Sequence, residues 1–117
     1  MATHALLATA FANVAASTTD ALLVTGITNR KIRVYAMACE CGATSTNITF
    51  NTATGGSGGV AISMLFANPA NGGFVLPYSE VGWFATNAGD YLTCTTGTGS
   101  TTGIQIVYGV DTVPGQN

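Results

Sequence analysis

Short segments in which apolar residues alternate with polar or small ones recur along this chain. Alternation with a period of two is typical of a β-strand that has one face against a core. Segments with this pattern, or with a short apolar run, are residues 6–11, 21–25, 31–39, 47–51, 60–66, 74–76, 83–85, 91–94 and 103–110. Clusters of turn-forming residues lie between several of them, at 54–59, 68–73, 87–90 and 96–100. About eight or nine short strands at this spacing predict an all-β fold, an antiparallel β-sandwich with jelly-roll-like connections.

The length of the chain, 117 residues, is that of one domain. We therefore interpret residues 1–117 as a single β-sandwich domain. Within it, residues 1–20 are predicted to form an extended N-terminal arm or a first strand, and residues 113–117 a flexible tail. No stretch reaches the roughly 18 uninterrupted apolar residues that a membrane-spanning helix needs, so no membrane partner is expected.

Charged residues are scarce, at 7% of the chain, whereas an ordinary soluble domain has about 25%. Threonine, serine, asparagine and glycine must then supply most of the polar surface, and a net charge of −2 repels neighbouring molecules only weakly. This composition favours a chain whose surface is partly covered by other chains over a neutral monomer. Arg30, Lys31 and Arg33 are the only strong cations, which is too few to form a face that binds nucleic acid.

The residues that could perform catalysis are few and scattered. His4 is the only histidine and has no acidic residue near it in sequence, so a Ser-His-Asp arrangement is not expected. Five acidic residues are dispersed along the chain, and the fold could bring Glu40 and Glu80 together as a glycosidase pair, but so few acids make no pairing informative. We predict a protein that is not an enzyme and has no catalytic residues.

Three cysteines leave alternatives open. Cys39 and Cys41 lie two apart on a predicted strand, so that their side chains share a face. With Cys94 and His4 they could form a zinc site, or one of them could form a disulfide with Cys94. Buried free thiols that pack as small hydrophobic residues are the favoured interpretation, with no metal and no cofactor.

The predicted strand over residues 31–41 is apolar on both faces in its second half. Strict alternation predicts Ile32, Val34, Ala36 and Ala38 on one face and Tyr35, Met37, Cys39 and Cys41 on the other. A strand of this kind needs cover on both sides. The opposite sheet is one cover, and the N-terminal arm or a neighbouring subunit is expected to be the other.

A second notable segment, residues 72–86, contains the only tryptophan of the chain. Trp83 and Phe84 are adjacent on a predicted strand, so they cannot both face one core. One of them needs another cover. A partner protein is one option, because tryptophan and tyrosine are efficient interface anchors, and a sugar stacked on the exposed ring is the other.

Residues 72–110 also carry a pattern of motifs: a Gly-Gly-x-x-Leu-Pro-Tyr stretch, Gly-Trp-Phe-x-Thr, a Gly-Asp-x-Leu turn and strand, and a closing strand that contains Val-Tyr. The residues of the pattern are Gly72, Gly73, Leu76, Pro77, Tyr78, Gly82, Trp83, Phe84, Thr86, Gly89, Asp90, Leu92, Val107 and Tyr108. This third of the chain resembles the C-terminal half of small structural proteins encoded by tailed bacteriophages, which are similar to capsid decoration (cement) proteins. The resemblance implies a jelly-roll or sandwich fold that assembles as a homotrimer on the capsid surface of a virion made in the bacterial cytoplasm.

The sequence-based hypothesis is thus a virion structural protein that stabilises a phage capsid by binding the major capsid protein and further copies of itself. A carbohydrate-binding or receptor-binding β-sandwich module, and a tail or connector component of the virion, remain the alternatives. The candidate interface residues are His4, Leu6, Leu7, Phe11, Tyr35, Met37, Pro77, Tyr78, Trp83 and Phe84.

Overall fold

The computed structural model describes residues 7–112, which form ten β-strands and one short 3-10 turn, Thr54–Gly56. The strands are β1 Ala8–Val14, β2 Ala21–Val24, β3 Arg30–Cys41, β4 Thr46–Ala53, β5 Val60–Ala61, β6 Phe66–Asn68, β7 Gly73–Leu76, β8 Phe84–Ala85, β9 Tyr91–Thr96 and β10 Thr102–Thr112. Two five-stranded sheets contain them. Sheet A has the order β1-β10-β3-β7, with β8 also paired to β3, and sheet B has the order β2-β9-β4-β5, with β6 also paired to β4.

Every pairing in the two sheets is antiparallel, which confirms the predicted all-β sandwich. The N-terminal segment contributes a first strand, because β1 pairs along its whole length with β10. Residues 1–6 of the predicted arm and the predicted tail at 113–117 lie outside the described residues.

The strand predicted over residues 60–66 was wrong, since two strands replace it. β5 pairs with one end of β4 and β6 with the other, and residues 62–65 leave the sheet between them. Side-chain chemistry accounts for the break. The Phe50 N–H donates to Ser63 Oγ (3.0 Å) and not to a backbone carbonyl. The hydroxyl thus supplies the acceptor for this N–H of β4 where the backbone ladder is interrupted. This division raises the count from the expected eight or nine strands to ten.

The core between the sheets consists of aliphatic, aromatic and thiol side chains. Phe50 is at its centre, stacked on Phe84 at a ring-centroid distance of 5.3 Å. All three cysteines are buried free thiols, as the favoured interpretation held. Burial raises the pKa of Cys39 to about 11 and that of Cys94 to about 12, so both thiols stay protonated and unreactive near neutral pH.

A β-bulge in β3 overturns the predicted division of its two faces. The register with β10 shifts between Val107, opposite Ala36, and Tyr108, opposite Val34, which leaves Tyr35 as the extra residue. Alternation restarts after the bulge in the opposite sense. The residues that face the core are therefore Ile32, Val34, Met37, Cys39 and Cys41, and Ala36 and Ala38 lie on the outer face.

The position of the bulge follows from the packing of Tyr35 over Gly109. A Cβ atom built on Gly109 would lie 3.0 Å from Cε2 of Tyr35, so the ring occupies the space that any larger residue would need. The ring thus covers a strand position that lacks a side chain of its own.

One end of the outer face of sheet B is covered by the chain itself. The glycine-rich loop at residues 54–59 folds back over β4 and β9, with Gly56 against the ring of Tyr91. The Gly59 N–H donates to Asp20 Oδ2 (3.0 Å), while Thr93 Oγ1 (2.9 Å) and Asn51 Nδ2 (3.2 Å) both donate to Asp20 Oδ1. These donors, the Gly59 N–H first, hold the pKa of Asp20 below its usual value.

Candidate interaction surface

The segment at residues 77–83, which we call the aromatic loop, covers one end of the outer face of sheet A. The Ser79 N–H donates to the carbonyl of Tyr35 (3.0 Å), and the Trp83 N–H donates to the next carbonyl back along β3 (2.8 Å). The ring of Tyr78 stacks on that of Tyr35, with centroids 6.0 Å apart. Tyr35 is therefore buried although it lies on the outer side of the sheet.

Trp83 and Phe84 point in opposite directions. Phe84 enters the core against Phe50, whereas Trp83 lies in the aromatic loop with 45% of its surface exposed. The indole Nε1 donates to the carbonyl of Pro77 (2.8 Å), so its polar atom is satisfied within the loop. The exposed part of Trp83 is thus carbon surface that a partner can cover.

Ionic and polar groups lie beside the aromatic loop and neutralise one another. Arg33 Nε and Asp111 Oδ2 form a salt bridge of 2.7 Å, and Arg33 Nη1 donates to the carbonyl of Val81. Burial, and then the neighbouring Asp111 carboxylate, raises the pKa of Tyr35, whose hydroxyl donates to Asp111 Oδ1 at 3.5 Å. This end of the face is therefore polar, and the charges of Arg33 and Asp111 are paired with each other.

The middle of the same face is apolar and bare. Strand register aligns Phe11 of β1, Gln105 of β10, Ala38 of β3 and Val75 of β7 in one row across the sheet. Phe11 is 80% exposed and Val75 71% exposed, and exposed Gln105 and Ala38 lie between these two side chains. We call the apolar members of this region the apolar patch: Phe11, Ala36, Ala38, Val75, Pro77 and Val107.

The floor of the patch is hollowed into two shallow, open depressions. One of about 850 Å³ extends from Phe11 to Val75 over Gly103 and Gly73, and the other, of about 430 Å³, lies between Pro77 and Val107. Glycine and alanine on the floor give a partner close access to the backbone of the sheet. An exposed apolar surface of this kind, bordered by polar residues, is typical of a protein-interaction site.

The acidic residues and thiols are the groups in residues 7–112 that bear on chemistry. No group of three or more His, Cys, Asp or Glu in residues 7–112 could hold a metal ion. Glu40 is at the far end of β3 from the aromatic loop that carries Glu80, and five residues separate it from Tyr35, which corresponds to about 16 Å of strand. None of the helical structure in this part of the chain is long and apolar enough to cross a membrane.

The predicted interface residues divide into three groups. Those exposed are Leu7, Phe11, Pro77, Tyr78 and Trp83. Tyr35 and Met37 are buried and Phe84 is half-buried. Met37 belongs to the core because the bulge at Tyr35 turns it inward, so it is not available to a partner. His4 and Leu6 lie outside the described residues.

Three exposed residues of this region, Val75, Ala38 and Val81, were not among the predicted interface residues. The sequence could have predicted the exposure of Val75. This residue lies between Phe74 and Leu76 on one strand, and both of those neighbours pack against the core. The exposure of Ala38 could not be predicted in this way, since its outward direction depends on the bulge.

Comparisons with protein-family models, with curated proteins and with solved structures found no match to this chain.

Proposed function

We propose that this chain is a structural protein of a phage virion that decorates the capsid, with the outer face of sheet A lying on the major capsid protein. The observation that carries the proposal is the apolar patch, which combines exposed Phe11 and Val75 with a floor on which Glu40 is the one charged residue among those lining the depression. Scarce surface charge and the motifs at residues 72–110 support the same role.

A jelly-roll connection is part of the proposal. Among the first four strands, each is in the opposite sheet from the one before it, so the chain crosses between the sheets at every turn. The orders β1-β10-β3-β7 and β2-β9-β4-β5 place the first and last strands side by side in one sheet, and the second and last-but-one side by side in the other. This nesting of early with late strands supports a double-sheet jelly roll built from two Greek keys.

The mechanism of stabilisation is preferential binding to the assembled shell. A sheet face with alanine and glycine on its floor can approach a capsid surface closely and bury Phe11 and Trp83 against it. A ligand that binds the assembled capsid and not its separate subunits stabilises the assembly by mass action. The resemblance implies that three copies of the chain act together.

The test compares one charge on each face of the sandwich. Ala38→Arg places a guanidinium in the centre of the apolar patch, and Asn47→Arg places the same group on an exposed position of β4 in sheet B. Each purified variant is mixed with expanded heads of the phage that encodes the chain, and the bound amount is measured by co-sedimentation. We expect Ala38→Arg to weaken binding at least about tenfold, or about 1.4 kcal/mol, because the long side chain holds the two surfaces apart and its guanidinium, beside exposed Glu40, must be desolvated in the contact.

Asn47→Arg is expected to bind like the unchanged chain. Failure of the unchanged protein to sediment with heads would overturn the decoration role. Undiminished binding by Ala38→Arg would instead move the contact away from the apolar patch.

Carbohydrate or receptor binding is the second candidate, and the exposure of Trp83 favours it. A sugar stacked on the indole would change its fluorescence, which has a single source because Trp83 is the only tryptophan. Titration with a panel of host-surface glycans, with Trp83→Phe as the signal-free control, tests this function. A saturable change in fluorescence would support it, and a flat response would exclude stacking on this residue.

A further inference from the structure

Strand β1 forms an unguarded edge of sheet A. Among residues 7–112 no strand pairs with its outer side, and its sequence Ala-Thr-Ala-Phe-Ala-Asn-Val contains no charge and no proline. Its pairing with β10 runs without a register shift over all seven residues, so no bulge bends it away. Exposed edges with these properties readily pair with another strand.

The other edges differ. At the opposite side of sheet A, β7 has four residues, and Pro77 follows directly at its end. In sheet B, β2 has four residues with a register shift between Leu22 and Val24, and β5 has two. Short length, proline and bulges are the usual protections of an edge, and β1 has none of them.

The backbone groups that β1 offers can be read from the alternation of the ladder. The Gly42 N–H donates to the Thr101 carbonyl (3.2 Å), which fixes the odd-numbered residues of β10, such as Gly103 and Gln105, as those bonded to β3. Residues Ile104 and Ile106 are then bonded to β1, through Ala12 and Ala10.

Consequently the N–H and C=O groups of Thr9, Phe11 and Asn13 point to the open edge. Their side chains are exposed on the outer face, whereas Ala10 and Ala12 pack against the core. One row of residues thus presents both unpaired backbone groups and exposed side chains.

We propose that a second copy of this chain pairs with that edge, β1 against β1 and antiparallel, about a two-fold axis at Phe11. In this register Phe11 faces Phe11 of the second copy, and Thr9 faces Asn13 on both sides of the axis. Each of these residues has its backbone groups directed outward, so every pair forms the two hydrogen bonds of a hydrogen-bonded antiparallel pair. Sheet A becomes continuous across the two molecules, and the exposed ring of Phe11 gains an aromatic neighbour.

We expect a second copy of the chain at this edge because two antiparallel β1 strands are complementary to each other. A strand without charge brings no like charges together on the axis, and its polar positions, Thr9 and Asn13, are symmetric about the aromatic one. The two-fold join predicts a dimer of the isolated chain, in place of the trimer that the phage resemblance implies.

The test exploits the meeting of residue 11 with itself. Phe11→Lys and Phe11→Glu each place like charges opposite one another across the axis, and mixing the two variants makes the pair complementary. Val60→Lys, an exposed apolar position (66%) on the edge strand β5 of sheet B, is the matched control. Mass is measured by light scattering and sedimentation over a concentration series, and folding by circular dichroism.

We expect a dimer for the unchanged chain and for Val60→Lys, monomers for each residue-11 variant alone, and a mixed dimer when Phe11→Lys and Phe11→Glu are combined. Amide exchange at Thr9, Phe11 and Asn13 should be slow in the dimer and at least about tenfold faster in the monomeric variants. The mixing experiment also separates loss of pairing from loss of fold, because a misfolded variant would not be rescued.

Three results would overturn the pairing. These are a monomeric unchanged chain, a dimer or trimer that persists in Phe11→Lys, and a mixture that stays monomeric. A monomer whose edge amides still exchange slowly would show that residues 1–6 or 113–117 of the same chain cover the edge. Because the measurement uses the isolated chain, it is independent of binding to phage heads, and either proposal can fail without the other.

Discussion

The outer faces of the two sheets differ in what covers them. On sheet B, the glycine-rich loop folds back and is fastened by Asp20, so that polar side chains such as Asn51 and Thr93 are buried under it. On sheet A, the aromatic loop covers one end and the apolar patch is left bare. The polar surface around Asn51 and Thr93 is thus the covered one, and the apolar patch of sheet A is the exposed one.

The chain covers its own surface on sheet B and leaves the apolar patch on sheet A available to another molecule. Buried polar groups are tolerated on sheet B because each finds a hydrogen-bond partner within the chain. An apolar face needs no such partners. Its contact with water is unfavourable, so burial of this face by a second protein is favourable.

The largest expected effect comes from placing the same charge on both faces. Ala53→Lys buries an ammonium group at a position of β4 that is 1% exposed, and it should lower the free energy of unfolding by at least about 3 kcal/mol. Ala38→Lys, on the exposed patch, should change it by less than about 0.5 kcal/mol. Urea denaturation of both variants measures the contrast. Equal destabilisation would mean that sheet A is as covered as sheet B.

Gly59→Ala attacks the cover of sheet B directly. A Cβ atom at this position would collide with the Asp20 carboxylate and come within 2.8 Å of Cβ of Asn51. We expect a loss of about 2 to 3 kcal/mol in the free energy of unfolding, because the loop must move away from the sheet. Ser57→Ala, an exposed position in the same loop, is the control and should be close to neutral in the same thermal or urea melts.

Asp20→Ala keeps the loop sequence and removes what fastens it. Thr93 and the Gly59 N–H lose their acceptor, and we expect a loss of about 1 to 2 kcal/mol. Thr19→Ala, the exposed preceding residue, serves as the control. Amide exchange at Gly59 should speed up in Asp20→Ala alone, and unchanged exchange there would contradict the role assigned to Asp20.

The smallest effect is a dependence on pH. Since the pKa of Asp20 is lowered by folding, the stability that its carboxylate contributes is fully present above its unfolded pKa of about 3.9. That contribution is lost as the pH falls through the lower folded pKa. The difference in unfolding free energy between the unchanged chain and Asp20→Asn should therefore be constant from pH 7 to about pH 5 and shrink below about pH 4. A difference that persists undiminished at pH 2 would assign it to geometry instead of charge.

Sequence patterns were sufficient for the fold class and for some directions within it. The alternation of Ile48 and Phe50 predicted a strand with an inner face, and the adjacency of Trp83 and Phe84 predicted that one ring would leave the core. Both inferences need only the geometry of an extended chain, which does not depend on which strands become neighbours. The exposure of Phe11 was likewise among the sequence-based expectations for the interface.

The outer direction of Ala38 and the inner direction of Met37 were beyond such reasoning. A bulge shifts the alternation by one residue, and its place is fixed by the contact between Tyr35 and Gly109, which are far apart in sequence. The division of residues 60–66 has the same origin, since it depends on Ser63 reaching the Phe50 N–H across the sheet edge.

The sequence by itself determined that this chain forms short strands around one apolar core, because period-two patterning and turn-forming residues act locally. Which outer surface remains exposed depends on tertiary contacts. The glycine-rich loop covers sheet B because its close approach to Asp20 and Asn51 is compatible with glycine at position 59, and the bulge at Tyr35 turns alanines outward on sheet A. Both outcomes result from contacts between residues distant in sequence, and they leave the apolar patch open to a partner.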